Sequence, residues 1–307
     1  MILALDSGGS KTKIIGALDS GDILFTDVTK GYGLALDDET VLLTDLTDYI
    51  NKSVENPDEV TNIVMNMGGR NSGQLRNTLK TAYPNAEIDI FRESSGFLGE
   101  QIRLANGCDI IIFAGTGTIA QGYGNGGWFV SDGWGRDVGD GGSGYSIGLE
   151  AIRASLMALE GSEPLTPIVK HITGENELFG VVSTSDGLLL RRDAIRNRIL
   201  PLERGLVASF AKAAADFARE GDKVALEIYE NAGASLANTA IRISKKCRLL
   251  ENIRIAVVGG IANSRDLWQK GFDKQFKQYA PQFELVFPEM DFALAALDYA
   301  IKKQGDR

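Results

Sequence analysis

Apolar runs of two kinds alternate along the chain. "MILALD" and "TKIIGALDS" flank a glycine-rich turn and predict a β-hairpin, and "GDILFTDVT" predicts a third strand. In "ETVLLTDLTDYINKSV" the apolar spacing becomes helical. "VTNIVMNMGG" then predicts a buried strand ending in glycines. A helix in "SGQLRNTLKTAYP", a strand in "AEIDIFRES" and a helix in "SGFLGEQIRLANG" follow. The order is βββαβαβα.

The pattern then restarts. "DIIIFAGTGTIAQGYG" and "GGWFVSDGW" predict a second hairpin, again with glycine and threonine in its turn. "GDGGSGYSIGLEAIRASLMALEG" leads into a long, mainly helical stretch over about residues 150–250. A strand in "IRIAVVGGIA", a helix, the strand "FELVFP" and a closing helix in "DFALAALDYAIKK" complete the chain. Two halves that each open on strand, glycine turn and strand imply an α/β duplication. A length of 307 residues, too long for one ordinary core, fits that reading. The expected domains are 1–106, with the closing helix 291–307 returning to it, and 107–290, with the helical insertion at about 150–250. No Pro/Gly/Ser-rich linker separates the halves, which are expected to pack around a shared cleft.

Composition narrows the chemistry. Hydrophobic content of 44% and charged content of 24% are those of a soluble globular protein. No apolar run approaches a membrane span and the N-terminus lacks a signal peptide's basic flank, so a cytoplasmic protein without a membrane partner is expected. A net charge of −9 argues against nucleic acid as a partner, because a phosphate backbone needs a basic face. His171 is the one histidine, so any Ser-His-Asp triad or multi-histidine zinc site would rest on it. It is read as structural or surface. Cys108 and Cys247, read as lying in different halves, form neither a disulfide framework nor a Cys-x-x-Cys pattern.

Three glycine turns remain. The first is Asp6-Ser7-Gly8-Gly9-Ser10-Lys11-Thr12. Glycine lets successive N–H groups point at an anion, Ser10 and Thr12 add hydroxyls, and Lys11 adds charge. Asp6, at a strand end, is placed to hold a hydrated divalent cation. The G-x-x-x-x-G-K-S/T spacing of a Walker loop is absent, and a strand follows rather than a helix. Taken alone, such a turn also reads as a plain hairpin. The second turn, Gly115-Thr116-Gly117-Thr118, repeats the chemistry at the matching place in the second half. The third, Gly259 and Gly260 in "VVGGIAN", joins a buried strand to a helix. There a flat ring can lie against backbone, with Asn263 beside it.

Taken in order, these turns resemble the phosphate-1, phosphate-2 and adenosine motifs of the actin/hexokinase/Hsp70 ATPase superfamily. "GGWFVSDGWGRDVGDGGSGYSIG" resembles the matching stretch of the N-acetylglucosamine kinases and the BadF/BadG/BcrA/BcrD ATPase family. The resemblance implies two ribonuclease H-like domains flanking a nucleotide cleft, ATP and Mg²⁺ as cofactors, a small-molecule sugar as acceptor and a homodimer. It implies phosphate contacts from Gly8, Gly9, Ser10, Lys11, Thr12, Gly115, Thr116 and Gly117. Asp6 would hold the metal through water. Gly259, Gly260 and Asn263 would lie at the adenosine, and Thr118, Gly133, Trp134, Gly135 and Asp140 at the sugar. The family's catalytic Asp falls on Glu93 in "FRESSGFLGE", which keeps the carboxylate but is one methylene longer. The family's "GDEGS" reads Gly139-Asp140-Gly141-Gly142-Ser143, so one acid is missing, and Leu34 lies nearest the position where N-acetylhexosamine kinases offer an Asn. The implied activity is phosphotransfer from ATP to a hydroxyl of an amino sugar or related hexose. The alternatives are an ATPase of the BadF/BcrA type and a nucleotide-binding regulator without kinase activity.

Overall fold

The first strand, β1 (Ile2–Ser7), is apolar from Ile2 through Leu5 because both of its faces are covered. Leu3 and Leu5 join one cluster with residues of α1 (Glu39–Lys52) and α2 (Ser72–Ala82), among them Leu46, Ile50, Leu75 and Leu79. Ile2 and Ala4 point the other way, onto Ala293, Ala296, Leu297 and Ala300 of α10 (Phe292–Gly305). The period-2 alternation of a strand therefore serves two helical layers at once.

The computed structural model describes residues 1–8, 11–32, 39–67, 72–91, 96–175, 185–200 and 203–305. These form two compact units, one of Met1–Gln101 with Glu289–Arg307 and one of Ile102–Pro288.

In the first unit, β1 pairs antiparallel with β2 (Lys11–Ala17), which pairs antiparallel with β3 (Ile23–Lys30). On its other side β1 runs parallel to β4 (Asn62–Met67), and β4 parallel to β5 (Glu87–Phe91). The sheet order is β3-β2-β1-β4-β5. Next in the chain is α3 (Gly96–Asn106), within which the first unit gives way to the second.

The second unit repeats the plan. β6 (Ile110–Ala114), β7 (Thr118–Gly124) and β8 (Gly127–Asp132) form an antiparallel meander, and β6 runs parallel to β9 (Ile253–Val258), which runs parallel to β10 (Phe283–Val286). The order β10-β9-β6-β7-β8 is that of the first sheet, element for element. Between β8 and β9 lie α4 (Gly144–Leu159), α5 (Pro167–Thr173), α6 (Ser185–Ile199), α7 (Arg204–Arg219) and α8 (Lys223–Cys247). Ser143 caps α4 through Ser146 N–H, and Asp222 caps α8 through the N–H groups of Val224 and Ala225. After β9 comes α9 (Arg265–Phe276), which crosses α8 at close range. A Cβ on Gly233 would stand 1.9 Å from the Trp268 carbonyl oxygen, so only glycine permits that crossing.

Both cysteines lie in the second unit, which corrects the reading that they belong to different halves: Cys108 immediately precedes β6 and Cys247 ends α8. His171 stands near the end of α5, edge-on to Phe217 at a centroid distance of 5.7 Å.

Candidate functional site

The parallel strands of the first unit bring distant side chains to one sheet end. Register sets Asp6 of β1 beside Asn66 of β4, and Asn66 beside Phe91 of β5. Asn66 donates its amide N–H to Asp6 Oδ1 at 2.9 Å, while its own Oδ1 is buried with no partner among the described residues. Burial pushes the Asp6 carboxyl above its ordinary range, against the pull of the Asn66 hydrogen bond and of Lys11, and Asp291 adds to the rise. Asp291 caps α10 through Ala293 and Leu294 N–H and forms an ion pair with Lys13, the residue opposite Asp6 on β2. Glu93 lies two residues beyond the end of β5, outside the described residues.

These residues fit a hydrated magnesium ion. A carboxylate next to an unpartnered amide oxygen offers acceptors to metal-bound water, and Mg²⁺ characteristically keeps several waters. No group of three metal-ligating acids, histidines or cysteines occurs among the described residues.

The turn after β1 closes through Gly8 N–H donating to the Lys11 carbonyl at 2.9 Å. The Thr12 hydroxyl is buried, 2.9 Å from Ser7 Oγ, and accepts from Tyr32 N–H at 3.2 Å. It therefore fixes the turn from inside instead of facing outward. Lys11 is exposed, and Gly9 and Ser10 lie outside the described residues.

The turn after β6 is held from outside. Gly115 N–H donates to the Gly117 carbonyl at 2.9 Å. The first N–H groups of α4, from Gly144 and Tyr145, bind the carbonyls of Gly115 and Thr116 at 2.8 and 3.2 Å. Thr118 N–H donates to Asp140 Oδ1 at 3.2 Å, and Arg204 Nη2 donates to Asp140 Oδ2 at 2.9 Å. A Cβ on Gly117 would meet Arg204 Nη2 at 2.6 Å and Asp140 Oδ2 at 2.9 Å, so the glycine keeps room for that pair. Among the described residues no hydrogen bond takes up the N–H of Thr116 or Gly117. Successive unengaged N–H groups in a glycine turn are the groups from which anion cradles are built. The Thr118 hydroxyl is buried with no partner among the described residues.

Asp140 is only 3% exposed, and burial raises its pKa against the pull of Thr118 N–H and Arg204, with Asp132 adding to the rise. Each of its carboxylate oxygens accepts a hydrogen bond from the protein, so it braces the turn. Asp132 is the hub of the adjoining loop. Its Oδ1 accepts from Asp140 N–H at 2.8 Å and Gly133 N–H at 3.0 Å, and its Oδ2 from Thr239 Oγ1 and Arg242 Nη2 at 3.1 Å each. Asp132 and Asp140 both adopt left-handed backbone, φ +66° and +60°. Strained positions of this kind cluster at functional sites. Gly133 and Gly135 also have positive φ and flank Trp134, a residue 77% exposed and so outside the core.

The third turn adjoins the second. β9 ends at Val258 beside Phe113, and Gly259 adopts φ +101° and ψ −178°, where a Cβ would lie 2.5 Å from the Ala114 carbonyl oxygen. Gly260 faces open space and Asn263 is exposed. Both turns thus sit outside the carboxyl ends of parallel strands, where α/β sheets bind ligands.

Leu34 lies outside the described residues. Asn66, Asp132, Arg204 and Asp291 escaped the sequence reading. Asn66 carried a usable signal, a polar residue inside an apolar strand run, whereas nothing local marks Arg204. Cys108 and Cys247 are buried, and burial pushes their thiols up to about 11. No helix among the described residues is long and apolar enough to cross a membrane.

Comparison with known proteins identifies the fold and the family. The chain is 24% identical over 318 aligned positions, 96% of either chain, to the N-acetylmuramic acid/N-acetylglucosamine kinase of Clostridium acetobutylicum. Its fold is similar to that of a candidate N-acetylglucosamine kinase from Chromobacterium violaceum, with a TM-score of 0.72 at 19% identity, covering 97% of this chain and 98% of the other. It is also similar to that of a ROK family glucokinase from Streptomyces griseus solved with glucose and AMPPNP, with a TM-score of 0.59 at 14% identity and 98% of both chains covered. The two five-stranded sheets are thus those of the actin-like ATPase fold. The sequence profile of one family matches residues 3–299, and the chain belongs to that family, the BadF/BadG/BcrA/BcrD ATPases.

Proposed function

We propose that this protein transfers the terminal phosphoryl group of ATP to a hydroxyl of an amino sugar of the N-acetylglucosamine or N-acetylmuramic acid type. The observation that carries the reading is the end-to-end alignment with the Clostridium acetobutylicum kinase. The free N–H groups of Thr116 and Gly117 support it, since phosphate cradles are built from such groups.

In this reading Gly8, Gly9, Ser10 and Lys11 bind phosphate oxygens from the first turn, and Gly115, Thr116 and Gly117 from the second. Thr12 contributes by locking the first turn. The adenosine lies against Gly259 and Gly260, near Asn263. Asp6 and Asn66 hold water on Mg²⁺, which when bound neutralises charge on the phosphates. Gly133, Trp134 and Gly135 offer an apolar face to the sugar ring, and the Thr118 hydroxyl supplies a polar contact. Glu93 accepts the proton of the attacking hydroxyl. The sugar oxygen bonds to the γ-phosphorus as the bond to the bridging oxygen breaks, and ADP leaves. The homodimer and the cytoplasmic setting belong to the same proposal.

The test is ADP release from Mg·ATP with N-acetylglucosamine, N-acetylmannosamine, N-acetylmuramic acid, glucosamine and glucose in turn. One of the N-acetylated sugars is expected to stimulate turnover, and Glu93→Gln to lower kcat by about 10²–10⁴-fold, the usual contribution of a general base. ATP binding without stimulation by any sugar would move the protein to the ATPase or regulator class.

A further inference from the structure

The segment between β8 and β9 sends one side chain to the second phosphate turn. Arg204 is the first residue of α7, and its side chain is 19% exposed. Its Nη2 donates to Asp140 Oδ2 at 2.9 Å and occupies the space where a Cβ on Gly117 would otherwise stand. Its Nε is buried with no partner among the described residues. Through the other oxygen of Asp140 the contact reaches Thr118 N–H, one residue after the free N–H groups of Thr116 and Gly117. Where the family pattern has a second acid, this chain has Gly141, and among the described residues Asp140 is the acid that pairs with Arg204.

We infer that Arg204 is a positioning residue for the nucleotide. It clamps Asp140 against the 115–118 turn and so aims the free N–H groups of Thr116 and Gly117 at a phosphate. This rests on the phosphate role proposed above for that turn. A guanidinium suits the task because its planar fork fixes a carboxylate in direction as well as distance. It also balances the charge of a buried aspartate that would otherwise repel the phosphates from beneath the cradle. The clamp couples α7 to the turn, so a displacement at the start of α7 is felt as a change in nucleotide affinity.

The test compares Arg204→Lys, Arg204→Met, Asp140→Asn and the double variant Arg204→Met/Asp140→Asn with the wild type. It reads Mg·ATP affinity by calorimetry, kcat and the KM for each substrate, and melting temperature without ligand. A positioning role predicts Mg·ATP binding weakened about tenfold or more in Arg204→Met, the loss expected when one charge-assisted hydrogen bond that holds the site is removed. The sugar KM should change by less than the Mg·ATP affinity, since the clamp holds Thr118 through its N–H and leaves its hydroxyl, the group assigned to the sugar, untouched. Arg204→Lys should recover part of the loss, and the double variant should be no worse than Arg204→Met, because both act through one contact.

A lower melting temperature with unchanged nucleotide affinity and kcat would make Arg204 a fold strut and overturn the inference. If Arg204→Met does not fold, Arg204→Lys decides: nucleotide affinity equal to wild type overturns the inference, and an intermediate loss supports it. Wild-type protein that binds Mg·ATP yet phosphorylates no sugar would sink the kinase reading alone, and weakened binding in Arg204→Met would still support the clamp. Wild-type protein without affinity for Mg·ATP would overturn both.

Discussion

The turns after β1 and β6 occupy matching places in two sheets of one topology, yet they are held in different ways. The first is locked from within, by Ser7 Oγ beside Thr12 Oγ1 and by Tyr32 N–H donating to Thr12. The second is braced from outside, by the N-terminus of α4, by Asp140 and by Arg204. Duplication therefore preserved where the turn sits and not what supports it. A hairpin locked by its own hydroxyls tolerates changes elsewhere in its unit. One braced by a loop and a helix depends on all of them.

The contrast has measurable consequences. Asp140→Ala leaves Arg204 and Thr118 N–H without their acceptor. It should destabilise the second unit by about 3 kcal/mol, the low end for a broken buried pair because Arg204 keeps some solvent. Chemical denaturation read by near-UV dichroism checks this, and a loss below about 1 kcal/mol would mean that the brace is weak. Gly259→Ala comes next. Its backbone geometry is essentially reserved for glycine and its Cβ would press on the Ala114 carbonyl, so a cost of about 2 kcal/mol is expected from the same experiment.

Thr12→Val tests the internal lock. It removes the contact to Ser7 and leaves Tyr32 N–H without an acceptor, for about 1 kcal/mol or slightly more. The effect should stay within the first unit, so amide exchange should rise around β1 to β3 and remain unchanged around β6. The smallest effect has the opposite sign. The Asp6 pKa is raised in the folded state, so between its unfolded and folded values the folded protein binds more protons than the unfolded chain. Stability is thus highest below the unfolded value and falls as pH rises through the folded one. Asp6→Asn removes that penalty and should raise the melting temperature at pH 7 while leaving it nearly unchanged at pH 3, as scanning calorimetry would register.

The same contrast explains what could be read from the sequence. Both hairpins, the single strands that follow them and the long helical segment followed from apolar period and glycine punctuation, because each is a local property of the chain. β1 and β6 are short apolar runs that stop at a glycine turn, and nothing else fits such a run so close to a second strand. The content of the first turn was equally local, since Asp6, Gly8 and Thr12 are near neighbours. The brace of the second was not. Asp140 lies 22 residues beyond Thr118, and Arg204 a further 64 beyond Asp140. An aspartate in a glycine-rich loop gives no local sign of the distant arginine that holds it. Asn66 reaches Asp6 only because β1 and β4 run parallel, a pairing that no local pattern announces.

Phosphorus NMR of the protein incubated with Mg·ATP and each N-acetylated sugar decides whether phosphotransfer takes place. A sugar phosphate monoester signal should grow in step with ADP, one for one, and grow at least about a hundredfold more slowly with Glu93→Gln. Growth of inorganic phosphate with ADP, and no ester signal with any of these sugars, would contradict the proposed transfer.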